Sequence, residues 1–423
     1  MVTNPATENR KAIEALRAGV PNRDAVRVMG SSQAKLEGIF REKLANAPGV
    51  FQSGEQLPGL LIAGDFGNGK SHLLEYFKHV ALENNFVCSK IVISKETPLY
   101  DPGKVFRAAI EAARVPGILG SAMTDIASQL NFDSQQYRDF FLWLQGGNTG
   151  LSEWFGASLY LFEYAHRDQA IQEQMIRFWA GDRLQQGELK RFLKDCGQGV
   201  AYKIDKLSVK EAARQRFLFV PRLMMAAGYA GWVILADEME LMGRYSFKQR
   251  VKSYAEFARL LGKIDGDTLP GLTSVFSISA DFESIVLEGK DDEEKIQLRS
   301  LSDTGADESL LGSRAQAGMR LIRKKHVLEK MDRETLYRSY QKLRGVYQQA
   351  YNWSPPDNFN QPDMTSRMRQ HIKRWITEWD LKRLYPEYQP DIEVSLLNPD
   401  YSEDTELEAQ EESGNDEENT IRQ

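Results

Sequence analysis

Residues 64–71 read Gly-Asp-Phe-Gly-Asn-Gly-Lys-Ser and directly follow the apolar run Leu60-Leu61-Ile62-Ala63. Glycines, a lysine and a hydroxyl at this spacing, between a strand and a helix, are the parts of a phosphate-binding loop. Gly64, Gly67 and Gly69 let the backbone around Asp65, Phe66 and Asn68 turn its N–H groups inward around a polyphosphate. Lys70 supplies a point charge to the β/γ-phosphates, and Ser71 offers a hydroxyl to Mg2+. The helix from His72 onward points its positive end at the anion. The alternative is a Gly-rich turn with no ligand.

A second chemical group stands far downstream. The apolar run 232–236 ends in Asp237-Glu238. Asp237 is expected to hold the Mg2+ that Ser71 also ligates, and Glu238 to polarise the water that attacks a γ-phosphate. Glu240 is the second choice for that base. The run 272–279 ends Ser277-Ile278-Ser279-Ala280-Asp281. In ATPases with an extra strand between the phosphate-loop strand and the acidic strand, a polar side chain here touches the γ-phosphate or its water. Ser279 or Asp281 is the candidate, and a capping serine before a short helix at 281–286 fits equally well. Arg367 and Arg369 open the last helix and are placed to reach the γ-phosphate, coupling nucleotide state to the position of a lid. Arg299, Arg314 and Arg320 precede or open the last expected strand and could project into a neighbouring subunit. For each of these five arginines the ordinary alternative is a solvated surface charge.

The elements that must hold these groups follow from periodicity. Helices are expected within 8–46, after the phosphate loop to about residue 84, and at about 102–114, 208–227, 248–262, 332–351 and 364–384. Residues 47–58 read as a Pro/Gly linker, and 288–310 as a charged loop. Strands are expected at 60–63, 86–94, 231–236, 272–279 and 319–328. Strands alternating with helices imply an α/β fold: a parallel, buried sheet with crossover helices. Residues 118–206 hold many aromatics between glycine breaks and read as a large helical insertion, its rings packed as a core or set out as a stacking surface for bases. The domain reading is 1–48 as N-terminal helices near the nucleotide, 49–330 as the ATPase core with its insertion, 331–388 as a helical lid and 389–423 as an acidic, disordered tail.

The 423 residues supply two to three domains' worth of core, and no apolar run reaches membrane-spanning length. The first residues have no basic flank and no apolar stretch of the secretory kind, and Cys88 and Cys196 form no motif, so a reducing cytoplasm is expected. The net charge of −6 is set by the end of the chain: residues 402–423 carry −8, which leaves the rest at +2.

Several segments resemble one family. Residues 64–75 (Gly-Asp-Phe-Gly-Asn-Gly-Lys-Ser-His-Leu-Leu-Glu) are similar to the phosphate loop of the BREX phage-exclusion ATP-binding proteins, the BrxC/BrxD group. So are 92–99 (Val-Ile-Ser-Lys-Glu-Thr-Pro-Leu), 227–233 (Ala-Gly-Tyr-Ala-Gly-Trp-Val), 237–246 (Asp-Glu-Met-Glu-Leu-Met-Gly-Arg-Tyr-Ser) and 367–380 (Arg-Met-Arg-Gln-His-Ile-Lys-Arg-Trp-Ile-Thr-Glu-Trp-Asp). The chain is closer in length to the shorter branch, BrxD. The resemblance spans about residues 10–386. It implies an AAA+-like ATPase, distantly similar to origin-recognition proteins, that uses ATP and Mg2+ in bacterial defence against phage. It implies defence-system proteins as partners, a superfamily II helicase among the candidates, with DNA contact and homo-oligomerisation open. By this likeness Lys70, Ser71, Asp237 and Glu238 take the roles above, Arg367 or Arg369 is the lid arginine, Ser279 the polar sensor, and residues 20–33 lie near the adenine. Roughly forty residues follow the last helix, too few for the winged-helix DNA-binding domain usual in origin-type ATPases.

Three functions compete at this level. The first is an ATP-hydrolysing switch acting on DNA or a protein partner. The second is a nucleotide-dependent scaffold for a defence complex with little turnover. The third is a small-molecule kinase, which the paired acids and the two-helix lid disfavour. Basic clusters at 320–325 and 367–382 could meet nucleic-acid phosphates.

Overall fold

Strands with no polar alternation need cover on both faces, and the sheet built from these runs has it. The computed structural model describes residues 5–19, 22–117, 120–147, 149–164, 168–264, 266–301, 306–359 and 367–387. The tail expected at 389–423 lies outside the described residues, as do Val20 and Pro21. Six strands form one sheet: β1 (Leu60–Ala63), β2 (Val87–Val92), β3 (Ala113–Arg114), β4 (Trp232–Asp237), β5 (Leu272–Ile278) and β6 (His326–Val327). Their order is β3-β2-β4-β5-β1-β6. All pairings are parallel except that of the edge strand β3 with β2. The chain is α/β with a mostly parallel sheet.

Alternate side chains of the sheet serve two cores. Leu60, Ile62, Val233 and Leu235 pack with helices Ala34–Gln52 and Lys70–Glu83, where Phe40 stacks on Phe77 at 4.2 Å. Leu61, Ala63, Trp232, Ile234 and Ala236 join a larger core with helices Pro102–Glu111, Val209–Ala226, Phe247–Leu260 and Ala306–Arg323. Parallel strands bring their carboxyl ends to one edge. Because β5 lies between β1 and β4, the loop after β1 and the acids at the end of β4 open on that edge across one strand. Such a crevice is where open α/β sheets hold ligands.

Residues 118–206 contain helices Ala122–Ser128, Gln135–Gln145, Glu153–Tyr164, Gln169–Ala180 and Gln186–Asp195. Their aromatics are largely used in packing: Phe140, Trp154, Phe155, Phe162, Phe178 and Trp179 are buried in the core shared with the sheet. The Trp179 indole donates to Ser158 Oγ at 2.9 Å, so its burial leaves no orphan donor. A third core joins the two ends of the described chain. Ile13 and Leu16 of Pro5–Ala18 pack with Leu336, Tyr340 and Tyr347 of Arg333–Tyr351 and with Trp375 and Trp379 of Met368–Leu384. Arg17 pairs with Asp380 at 2.7 Å across this contact.

The structure departs from the sequence reading where tertiary burial overrides local signals. The expected linker at 47–58 begins as helix, since Ala34–Gln52 runs through Pro48. Ala47 and Phe51 are buried against the sheet on either side of that proline, which offsets the lost hydrogen bond. The charged loop expected at 288–310 is largely helix, Asp292–Leu301 and the start of Ala306–Arg323, with Asp292, Glu293 and Glu294 in a first turn that favours acids. The strand expected at 319–328 shrinks to His326–Val327. Ala315, Met319 and Ile322 repeat at helical spacing and are buried, so that segment ends a helix instead. The short helix expected at 281–286 is a π-type turn, Glu283–Glu288.

Candidate functional site

β1 delivers the chain to the loop fully buried, and the Gly64 N–H continues the β1–β5 pairing by donating to the Ile278 carbonyl at 3.2 Å. The loop then closes on itself, Asn68 N donating to the Asp65 carbonyl at 3.2 Å. Gly67 (φ 83°) and Gly69 (φ 94°) are left-handed, a conformation that a side chain would strain. The helix begins at Lys70, two residues before His72, so the loop caps its N-terminus directly. Lys70 is buried. Its Nζ donates to the Gly64 carbonyl at 2.8 Å, lies 4.9 Å from the Phe66 ring centre and stands 3.7 Å from Glu240 Oε1.

That last distance joins two segments separated by some 170 residues of chain. Asp237 ends β4, buried, with its Oδ1 accepting from Ser277 Oγ and from the Glu238 amide at 3.1 Å. Both of these bonds fall on Oδ1. The β4–β5 register runs to Ala236↔Phe276, so Ser277 is the next residue opposite Asp237. Glu238 takes a left-handed backbone (φ 59°), a strained state often kept at functional sites, and its amide also reaches Ser277 Oγ at 3.3 Å. The turn sends the Glu238 side chain to solvent and the Glu240 side chain inward. Partial desolvation, and next the Asp237 charge, hold the Glu238 carboxyl above its ordinary range, against the opposing charges of Lys70 and Arg369. Burial raises Glu240 likewise, with Lys70 opposing.

The first turns of the Lys70–Glu83 helix are braced from behind. Lys90 of β2 donates to the Ser71 carbonyl at 3.2 Å and to Glu75 at 3.3 Å, and Lys78 reaches Glu75 at 3.1 Å. Burial would raise the Glu75 carboxyl, but Lys78 and Lys90 outweigh it and hold it below its usual range. His72 Nε2 meets the Gly30 carbonyl at 2.6 Å, and burial keeps the ring below its ordinary pKa. Lys342 donates to the neighbouring Met29 carbonyl at 3.0 Å. Gln33 clamps Glu329 just past β6, accepting from its amide at 2.8 Å and donating to its carbonyl at 3.3 Å. Residues 22–33 thus touch both the loop helix and the C-terminal helices.

Of the candidate arginines, Arg367 lies against the loop: a β-carbon at Gly67 would meet its Cδ at 3.1 Å. Arg369 packs near Gly19 and extends its charge to Glu238. Arg314 instead pairs with Asp267 at 3.0 Å, Arg320 is exposed, and the Arg299 side chain lies outside the described residues. Two of the four basic residues at 320–325 are paired with acids. Arg323 pairs with Glu293, and Lys325 with Glu283. Ser279 is buried just beyond β5.

The loop, Lys70, Asp237, Glu238, Arg367 and Arg369 therefore converge. Sequence reasoning gave no role to Ser277 or Lys90, and placed Gln33 only within the segment 20–33 expected near the adenine. Two of these carried a signal: a lone lysine inside a Val/Ile strand, and a serine one step from the end of a buried one. No curated protein matches the chain. The family model described as "BREX system ATP-binding protein BrxC/D" matches residues 5–133 and 155–378.

Proposed function

The chain belongs to the BREX system ATP-binding protein BrxC/D family, and from that premise we propose that it is an Mg2+-dependent ATP-hydrolysing switch of AAA+ type in antiphage defence. The observation that carries this reading is the 3.7 Å approach of the phosphate-loop lysine to the acidic turn that ends β4. In the proposed mechanism the loop amides and Lys70 bind the β- and γ-phosphates, and Ser71 and Asp237 hold the metal. Mg2+ supplies charge neutralisation at the transferred phosphoryl group. Glu238, at the open side of the turn, orients and deprotonates the attacking water; partial desolvation and the Asp237 charge raise its carboxyl above the ordinary range, in the direction of a stronger base. Ser279 stands at the γ-phosphate end. Arg367 and Arg369, brought by the C-terminal helices acting as a lid, report whether a γ-phosphate is present. Residues 22–33 bind near the adenine. The energy of that closure is delivered to another defence protein or to DNA.

The test is turnover and binding in three proteins. Lys70→Ala is expected to weaken Mg·ATP binding by about 100-fold, the loss of a charge-assisted contact to phosphate. Glu238→Gln is expected to bind ATP as the parent does and to hydrolyse it about 10²–10⁴-fold more slowly. Binding without turnover in the parent protein would leave a nucleotide-dependent scaffold. Unchanged turnover in Glu238→Gln would remove that residue from the mechanism.

A further inference from the structure

Glu240 is 5% exposed, and among the described residues its carboxylate oxygens find no hydrogen-bond partner outside the residue itself. A desolvated carboxylate without hydrogen bonds is costly, and a fold retains one where it serves something else. The cation facing it is Lys70, at 3.7 Å, itself buried. Lys70 has three donor positions, and in this structure it uses one on the Gly64 carbonyl. The lysine is thus turned back on its own loop and held from beneath by an anion. A triphosphate in the loop needs the same ammonium.

We infer that Glu240 is a positioning residue that competes with the nucleotide for Lys70, holding the lysine back on its own loop until a bound triphosphate draws it to the γ-phosphate side. This deepens the ATP-binding reading and rests on it. The effect acts through charge, so size and charge can be separated. Glu240→Gln keeps the size and loses the charge; Glu240→Asp keeps the charge and loses a methylene. Because the lysine serves the β/γ end, the effect is larger for ATP than for ADP.

Calorimetric titration of the full chain with Mg·ATP and Mg·ADP tests this. Glu240→Gln is expected to lower the Kd for ATP about tenfold, the factor that 1.4 kcal/mol makes. It should lower that for ADP by about threefold or less, and Glu240→Asp should stay within about threefold of the parent. If circular dichroism shows Glu240→Gln unfolded, Glu240→Met, which is equally long and uncharged, takes its place with the same expectation. A parent protein that binds no nucleotide sinks the nucleotide reading and this inference together. A parent that binds, with Glu240→Gln unchanged or weakened, overturns this inference alone. So does a pattern that follows size, with Gln harmless and Asp damaging.

Discussion

Ser277→Ala separates metal positioning from mere packing. Ser277 Oγ donates to Asp237 Oδ1 and accepts from the Glu238 amide at 3.3 Å, and both Ser277 and Asp237 are buried. The substitution removes one oxygen and no carbon, so no cavity large enough to collapse is made. The Glu238 amide keeps its own bond to Asp237 at 3.1 Å, so the turn is retained. What is lost is one hydrogen bond to an ionised carboxylate, about 1.5–3 kcal/mol. If Asp237 holds Mg2+, that loss appears as freedom of its carboxylate, and apparent metal affinity falls by about 10–100-fold, the usual cost of removing a partner behind a metal ligand. The assay is ATP hydrolysis against Mg2+ concentration at saturating nucleotide, with urea unfolding in parallel. The Mg2+ midpoint is expected to rise by that factor, while the rate at saturating Mg2+ falls by less than about tenfold. A midpoint that stays in place while stability drops would show that Ser277 serves only the fold and that Asp237 is not a ligand positioned by it.

Two further outcomes follow from buried charge. Asp292 is fully buried, accepts from Arg250 at 2.7 Å through both oxygens and from the Tyr254 hydroxyl at 2.7 Å, and ties helix Asp292–Leu301 to Phe247–Leu260. Asp292→Asn leaves Arg250 buried without its anion and is expected to cost about 3–5 kcal/mol, read as a lower urea midpoint. Glu75→Gln is expected to cost about 2 kcal/mol at neutral pH through its two lysines. Because the folded carboxyl lies below its unfolded value, the folded state binds this proton less readily than the unfolded one. The parent's advantage is therefore full above the ordinary carboxylate range and lost as pH falls through the depressed folded value. Unfolding free energies of both proteins across pH 3–7 should converge at the acid end; a constant gap would mean the carboxylate charge is not the source.

Local chemistry was legible without a structure. Gly67 and Gly69 declare a left-handed loop because other residues strain there, and Leu60–Ala63 and Trp232–Asp237 declare buried strands because they lack polar alternation. Helix and strand between 288 and 328 were misread. An apolar residue every third or fourth position in a charged segment looks weak until the partner helix that buries it is present. Pro48 misled in the same way, since its cost is visible locally and the burial of Ala47 and Phe51 that offsets it is not.

The sequence by itself determined which chemical groups this protein owns: an amide loop, a lysine, a hydroxyl and a pair of acids, each encoded within a few consecutive residues and specified by steric and polar rules of short range. Only the tertiary structure decided which of them meet. Choosing Ser277 to face Asp237, sending Glu238 outward and Glu240 beneath Lys70, and bracing Ser71 with Lys90 all depend on strand register and on one left-handed turn. Register arises from pairing between segments scores of residues apart, and a shift of one position would turn every side chain to the other face.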